Sequence, residues 1–281
     1  MRRCLRSYGE GARRVDLQRT DMVDDVLRQQ LRYLPAFRAL LRSVESGFYK
    51  TLPLPRPTLD VGCGDGRFAA LAFDERLDVG LDPWWQPLTE ARDLRAYRLV
   101  TQANGAHMPF ADNQFASAIS NSVLEHIPDV DAVLTEITRV LRPGAPFYFC
   151  VPSDRFLSFL SIGRALDAMH MFPLAKAYRR FFNRISRHHH CDDADTWRSR
   201  LDQAALTVDR CWGYFSREAL GALEWGHYLG LPSLISKKLT GRWVIGPVGP
   251  YLWLTDRLLR RYYEEPLPAV GSYLFFVAHK R

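Results

Sequence analysis

The stretch Leu59-Asp60-Val61-Gly62-Cys63-Gly64-Asp65-Gly66-Arg67-Phe68 constrains this chain more than any other. A short apolar run over residues 58–61 enters a turn with glycine at every second position. A helical pattern of Phe68, Leu71 and Ala72 follows. The order is strand, tight turn, helix N-terminus. Such a junction presents backbone N–H groups and a positive dipole end to an electron-rich ligand. Glycines let the backbone pass close to that ligand, where a Cβ would clash. Asp60 places a carboxylate under the turn. Dinucleotide binders use G-x-G-x-x-G, whereas the spacing here is G-x-G-x-G.

Strand and helix patterns then alternate. Strands are predicted at 77–81, 98–103, 115–122 and 146–151, with helices at 88–94 and 130–141. The second helix starts at Asp129 or Asp131 and stops at Arg142-Pro143-Gly144. This alternation implies right-handed βαβ units and a mainly parallel sheet. Ligands bind such a sheet outside the carboxyl ends of its strands, where strand order reverses. Asp82, at the end of the second strand, can accept both hydroxyls of a ribose there; its bland reading is a helix cap. Trp84 or Trp85 offers a ring to stack on an adenine face.

Asp60-Val61-Gly62-Cys63-Gly64-Asp65-Gly66 resembles the first motif of class I S-adenosylmethionine (SAM) dependent methyltransferases. Two further segments resemble that family in the same order. They are Asn104-Gly105-Ala106-His107-Met108-Pro109-Phe110 after the third strand, and Asn121-Ser122-Val123-Leu124-Glu125-His126-Ile127-Pro128 after the fourth. Leu141-Arg142-Pro143-Gly144-Ala145 before the fifth strand matches too, so the resemblance covers about 58–152. An acidic residue commonly meets the adenine amino group in this family. Here that position is Asn104, whose side-chain oxygen can accept the same bond. The resemblance implies SAM as cofactor. It implies a binding set of Asp60, Gly62, Cys63, Gly64, Asp82, Pro83, Trp84, Asn104, Gly105, Ala106 and Asn121. The base candidates are His126, the run His188-His189-His190 (with His189 singled out), His107 and Asp154. Consecutive histidines point different ways and no cysteine or carboxylate spacing accompanies them, so no metal is expected.

The rest of the chain fills out the fold. Residues 1–50 read as helical, with Asp21 able to cap the start, and the prolines of 51–57 break the helix. This leader, 1–57, covers an edge of the core or forms part of a lid. The core follows at 58–153. An insert at 154–187 reads as one or two amphipathic helices with a basic end. The C-terminal part, 188–281, holds a helix at 194–205, a sixth strand at 207–215, an apolar insert at 217–268 and a last strand at 271–280. In the family that last strand is antiparallel. The expected class is therefore α/β, a doubly wound, mainly parallel, Rossmann-like seven-stranded sheet. Its helical inserts follow strand 5 and separate strands 6 and 7.

Composition narrows the functions. The 281 residues are 47% hydrophobic, enough for a sizeable core. The net charge of +7 is clustered, with arginines gathered in 1–14, 179–187 and 257–261. The five cysteines are dispersed and lack C-x-x-C spacing, which argues against a disulfide framework and for a reducing cytoplasm. No apolar run is long enough for a transmembrane helix. Basic residues beside apolar ones in the inserts suit a cap over the acceptor, a homodimer interface, or peripheral contact with the inner face of a membrane. The expected activity is methyl transfer from SAM to a small, hydrophobic or lipid-like acceptor, at oxygen. The rival readings are a dinucleotide-dependent oxidoreductase and a SAM-binding protein without turnover. A nucleic-acid partner is not expected, because the fourth strand ends in Asn121-Ser122-Val123-Leu124 and not in an Asn-Pro-Pro-Tyr-like motif.

Overall fold

The computed structural model describes residues 25–230, 238–240 and 249–281. Seven strands, β1 (Thr58–Val61), β2 (Leu77–Asp82), β3 (Tyr97–Gln102), β4 (Ser117–Asn121), β5 (Pro146–Pro152), β6 (Leu206–Tyr214) and β7 (Tyr273–Lys280), form one sheet. Their order is β3-β2-β1-β4-β5-β7-β6. Strands β1 to β5 pair in parallel, and β7 runs antiparallel between β5 and β6. Every residue of β1 is buried, as expected of a central parallel strand covered on both faces.

The pleat sorts side chains into two cores. Phe147, Phe149 and Val151 of β5, with Leu274 and Phe276 of β7, belong to one. It also holds Val133, Leu134 and Ile137 of α5 (Val130–Val140) and Trp197 of α9 (Ala194–Gln203). Tyr148, Cys150, Tyr273 and Phe275 alternate onto the opposite face, a direct result of the two-residue period. There they meet α1 (Val26–Leu31), α2 (Ala36–Tyr49), α3 (Arg67–Ala72) and α4 (Trp85–Asp93).

Several boundaries differ from the sequence expectation. The strand expected at 115–122 shortens to Ser117–Asn121, and Phe115 keeps only an isolated bridge to Leu141. Helix α4 begins at Trp85, three residues early, because Pro87 in a first turn has no intrahelical donor to lose. The insert after β5 forms three helices where one or two were expected: α6 (Phe156–Phe159), α7 (Ser161–Ala168) and α8 (Phe172–Ser186). His170 in the left-handed region (φ 59°) separates the last two. Asp25, whose carboxylate accepts from Arg28 N at 3.1 Å, caps α1. The Asp21 cap, Cys4, the basic stretch 1–14 and parts of the second insert lie outside the described residues.

That second insert contributes α10 (Arg217–Leu229) and a helix at Gly249–Tyr263. The latter meets the leader through Asp256, which accepts from Arg28 at 2.9 Å, and through Arg260, which pairs with Asp25 and Asp256. Among the described residues no helix is long and apolar enough to cross a membrane.

Candidate functional site

The glycine turn leaves β1 at the point where strand order reverses, between β1 and β4. Gly62 N and Cys63 N both donate to Leu81 O, at 2.7 and 3.0 Å, which folds the turn back over β2. Gly62 sits at φ 80°, and a Cβ there would lie 2.3 Å from Val123 Cγ1. Gly64, at φ 53°, would point a Cβ into open space. The missing side chain there leaves room for a ligand.

One carboxylate holds the turn and a second lies beneath it. Asp82 Oδ2 accepts from Gly64 N at 3.0 Å and Oδ1 from Trp84 N at 2.9 Å. Burial nevertheless pushes the Asp82 carboxyl above its usual range. Asp60 Oδ2 accepts from the Tyr97 hydroxyl at 2.6 Å, and burial raises its carboxyl to about 7.

A cavity of about 460 Å³ opens beside the turn. Asp60, Gly62, Cys63, Gly64 and Asn121 line it, as does His126. Its other wall comes from the leader: Gln30 and Leu34, then Arg38 and Arg42 of α2. Gln30 is fully buried, and both its amide atoms are without a partner among the described residues. Asp82, Pro83, Trp84, Asn104, Gly105 and Ala106 follow the carboxyl ends of β2 and β3 and do not line this cavity. Both Trp84 and Trp85 are exposed. Asn104 turns its Oδ1 to Ala106 N, at 2.9 Å.

Asn121 lines the cavity and also serves the core. Its side chain faces inward, donating from Nδ2 to Glu45 Oε2 at 2.8 Å and accepting at Oδ1 from Cys150 Sγ at 3.1 Å. Glu45, fully buried on α2, is the hub of this cluster. Oε2 also accepts from Arg42 at 3.0 Å, while Oε1 accepts from Ser122 Oγ and Tyr214 Oη, each at 2.9 Å. Arg42 donates in addition to Asn121 O at 3.1 Å. Four donors saturate the carboxylate, and none was expected from the sequence. The signal that could have revealed it is an Arg42/Glu45 pair set beside the buried stripe of small and apolar residues Ala39, Leu40, Ser43, Ser46 and Tyr49.

His126 is fixed in one tautomer. Its Nδ1 lies 3.0 Å from Arg187 O, which can only accept, so Nδ1 carries the hydrogen and Nε2 keeps its lone pair. Burial holds the ring below the ordinary imidazole range, so it stays neutral near pH 7. Nε2 stands 3.7 Å from Glu125 Oε1. The Glu125 carboxyl is buried, with Oε2 unpartnered, and burial raises it to about 8.

The expected second histidine is displaced by one position. The exposed His189 gives its backbone N–H to Glu125 O at 2.7 Å, whereas His188 packs on His126 with ring centroids 5.2 Å apart. Burial lowers His188 to about 3. Glu125, His126 and His188 bring one ligand atom each to within 4.8 Å of one another. Neither His107 nor Asp154 lines the cavity; Asp154 pairs with Arg155 at 3.1 Å.

The strand order and its reversal define the Rossmann-like methyltransferase fold. Residues 59–149 match the family model of the methyltransferase domain, about a third of the chain. An uncharacterized methyltransferase of Mycobacterium sp. (strain JLS) is 35% identical over 96 residues, 34% of this chain and 38% of that protein. A ubiquinone biosynthesis O-methyltransferase of Vibrio atlanticus is 30% identical over 112 residues, 37% of this chain and 47% of that one. The matches thus span less than half of either relative.

Solved structures agree over more of the chain, at the level of fold. A SAM-dependent methyltransferase of Thermotoga maritima, described as a possible histamine N-methyltransferase, superposes with a TM-score of 0.56 and 14% identity. The alignment covers 91% of this chain and 96% of that one. Geranyl diphosphate C-methyltransferase of Streptomyces coelicolor gives 0.53 and 13%, over 87% and 84%.

Two outcomes follow from the buried carboxylates. Glu45→Ala strands Arg42 and three neutral donors, and should cost about 3–5 kcal/mol, read as a lowered urea midpoint. A cost within experimental scatter would show that the cluster adds nothing to stability. Glu125 binds its proton more tightly folded than unfolded, so its contribution is complete below about 4.5 and is lost as pH rises to about 8. Glu125→Gln stays neutral throughout. Its Tm relative to wild type should therefore climb across that window, and a pH-independent difference would contradict the assignment.

Proposed function

We propose that this protein transfers the methyl group of SAM to a small, hydrophobic or lipid-like acceptor, with oxygen as the receiving atom. The observation that carries the reading is the open face of Gly64 on a cavity lined by opposite charges, within the matched domain. SAM, when bound, supplies a methyl group already activated on a sulfonium. The chain's task is then placement. Held reactants can gain roughly 7–11 kcal/mol over free encounter.

The residues suit that cofactor. Gln30, Arg38 and Arg42 offer donors to a carboxylate, and Asp60 on the same cavity offers oxygens to hydroxyl-bearing or cationic parts. Asp82 keeps accepting capacity beyond its two backbone bonds, which a ribose hydroxyl can use. Leu34, Phe68 and Val123 supply apolar wall for a hydrophobic acceptor. His126 Nε2, neutral and bare, is the group we assign to take a proton from an acceptor hydroxyl. The likeness to an O-methyltransferase supports oxygen as the target. The four described cysteines are free thiols, in keeping with the cytoplasm.

Calorimetric titration with SAM, S-adenosylhomocysteine and NADH should show binding of the first two alone; binding of NADH alone would overturn the reading. Asp82→Ala should weaken SAM by about tenfold or more, through loss of a charge-assisted hydrogen bond. Against a panel of hydroxylated aromatic and prenylated acceptors, His126→Asn should lower turnover roughly 10²–10⁴-fold while leaving S-adenosylhomocysteine affinity intact. An unchanged rate would remove His126 as the base.

A further inference from the structure

Helices α7 and α8 form a hairpin whose inner side is fully used. Glu224 of α10, itself buried, accepts from Ile162 N at 3.2 Å and also from Ser161 N and the Tyr178 hydroxyl, so it caps α7 and fixes the hairpin's base. Arg179 bonds Leu157 O at 3.1 Å and pairs with Asp167, which clamps the two helices together. A Cβ on Gly163 would lie 3.1 Å from Arg179 Nε, so the helices approach closely there. Ala175 and Phe182 complete the buried stripe of α8.

The outer side carries a second apolar stripe that stays exposed among the described residues. Leu174, Phe181 and Ile185 recur at helical spacing, and Met169 and Phe172 stand at the hairpin tip. All five are between 43% and 66% exposed. A surface helix needs one apolar stripe to fold, and this one has two. Basic residues flank the surplus stripe: Ala177, Arg180, Phe181 and Arg184 line a shallow depression along it. From 161 to 187 the hairpin holds six basic residues and a single acid, Asp167, which Arg179 already occupies.

We propose that the α7–α8 hairpin docks on an anionic lipid bilayer, with Met169 and Phe172 leading and Leu174, Phe181 and Ile185 resting among the acyl chains. Arginines flanking such a stripe extend their guanidinium groups to lipid phosphates while their stems stay in the apolar layer. A second copy of this chain is the poorer occupant, because a two-fold contact would set the same basic face against itself. The docked hairpin ends at the site, since the carbonyl of Arg187 meets His126. Docking stands on the hairpin's surface alone. Only its use in delivering acceptors to the cavity rests on the proposed methyl transfer.

Co-sedimentation of the full chain with vesicles of phosphatidylcholine and phosphatidylglycerol tests this, with pure phosphatidylcholine vesicles in parallel. The expected result is binding to the anionic vesicles that weakens with added salt. It should fall tenfold or more both in Arg180→Glu/Arg184→Glu and in Phe172→Ser/Phe181→Ser. The charge-matched control Arg76→Glu/Arg92→Glu, on exposed residues elsewhere, should bind as wild type does. No binding to anionic vesicles would overturn the proposal, as would an equal loss in the control. Concentration-dependent dimerisation abolished by Phe172→Ser/Phe181→Ser, without vesicle binding, would assign the face to a second copy. SAM titration of the same variants reads the cofactor site separately, so failure of docking and failure of the proposed function give different results.

Discussion

One buried carboxylate joins the parts of this protein that sequence order keeps apart. Glu45 on α2 accepts hydrogen bonds from Arg42 one turn earlier, from Asn121 and Ser122 at the end of β4, and from Tyr214 at the end of β6. A charge without water must be compensated locally, and here four donors converge to do so. The result is geometric as much as energetic. Because Glu45 is held from three elements, α2 has one position over the carboxyl edge of the sheet, and Arg38 and Arg42 reach the cavity from it. Tyr49 adds packing along the same helix, against Phe68 and Phe275 with centroids 5.4 and 5.1 Å apart.

The same edge gathers titratable groups whose proton affinities burial has shifted. Asp60 and Glu125 are raised, while His126 and His188 are lowered. Each shift disfavours the charged form, so much of this edge is neutral in the empty protein although its residue types are ionic. Arg42, held charged by Glu45, is the exception among them. Of these groups Asp60, raised by burial to about 7, and His126, kept neutral by burial, stand on the cavity wall, where a charged ligand would meet them.

The turn, the succession of strands and helices up to β5 and the helix stops were legible in the sequence because each rests on local rules. Glycine permits φ values that other residues resist, proline and Arg142-Pro143-Gly144 end helices, and alternating apolar periods mark βαβ units. The boundaries that shifted, at α4, β4 and the insert, shifted by a few residues where tertiary contacts extended or trimmed an element. The misplacement at His189 has a different cause. In a run of three histidines the ring that turns inward depends on backbone dihedrals after the left-handed Arg187, and no periodic pattern encodes that choice.

The sequence by itself determined the class of fold: an α/β sheet with a glycine turn at its switch point, followed by ordered motifs that resemble those of SAM-dependent methyltransferases. Those features are local in the chain, so their physics can be read from neighbouring residues. Only the tertiary structure decided that the leader closes one side of the cavity, that Asn121 serves the core as well as the site, and that His188 accompanies His126. It alone left one face of α8 exposed among the described residues. These outcomes depend on which groups meet across 60 or more positions of chain, as Arg187 meets His126 and Tyr214 meets Glu45. Desolvation and hydrogen-bond pairing settle such meetings only after the sheet has brought them together.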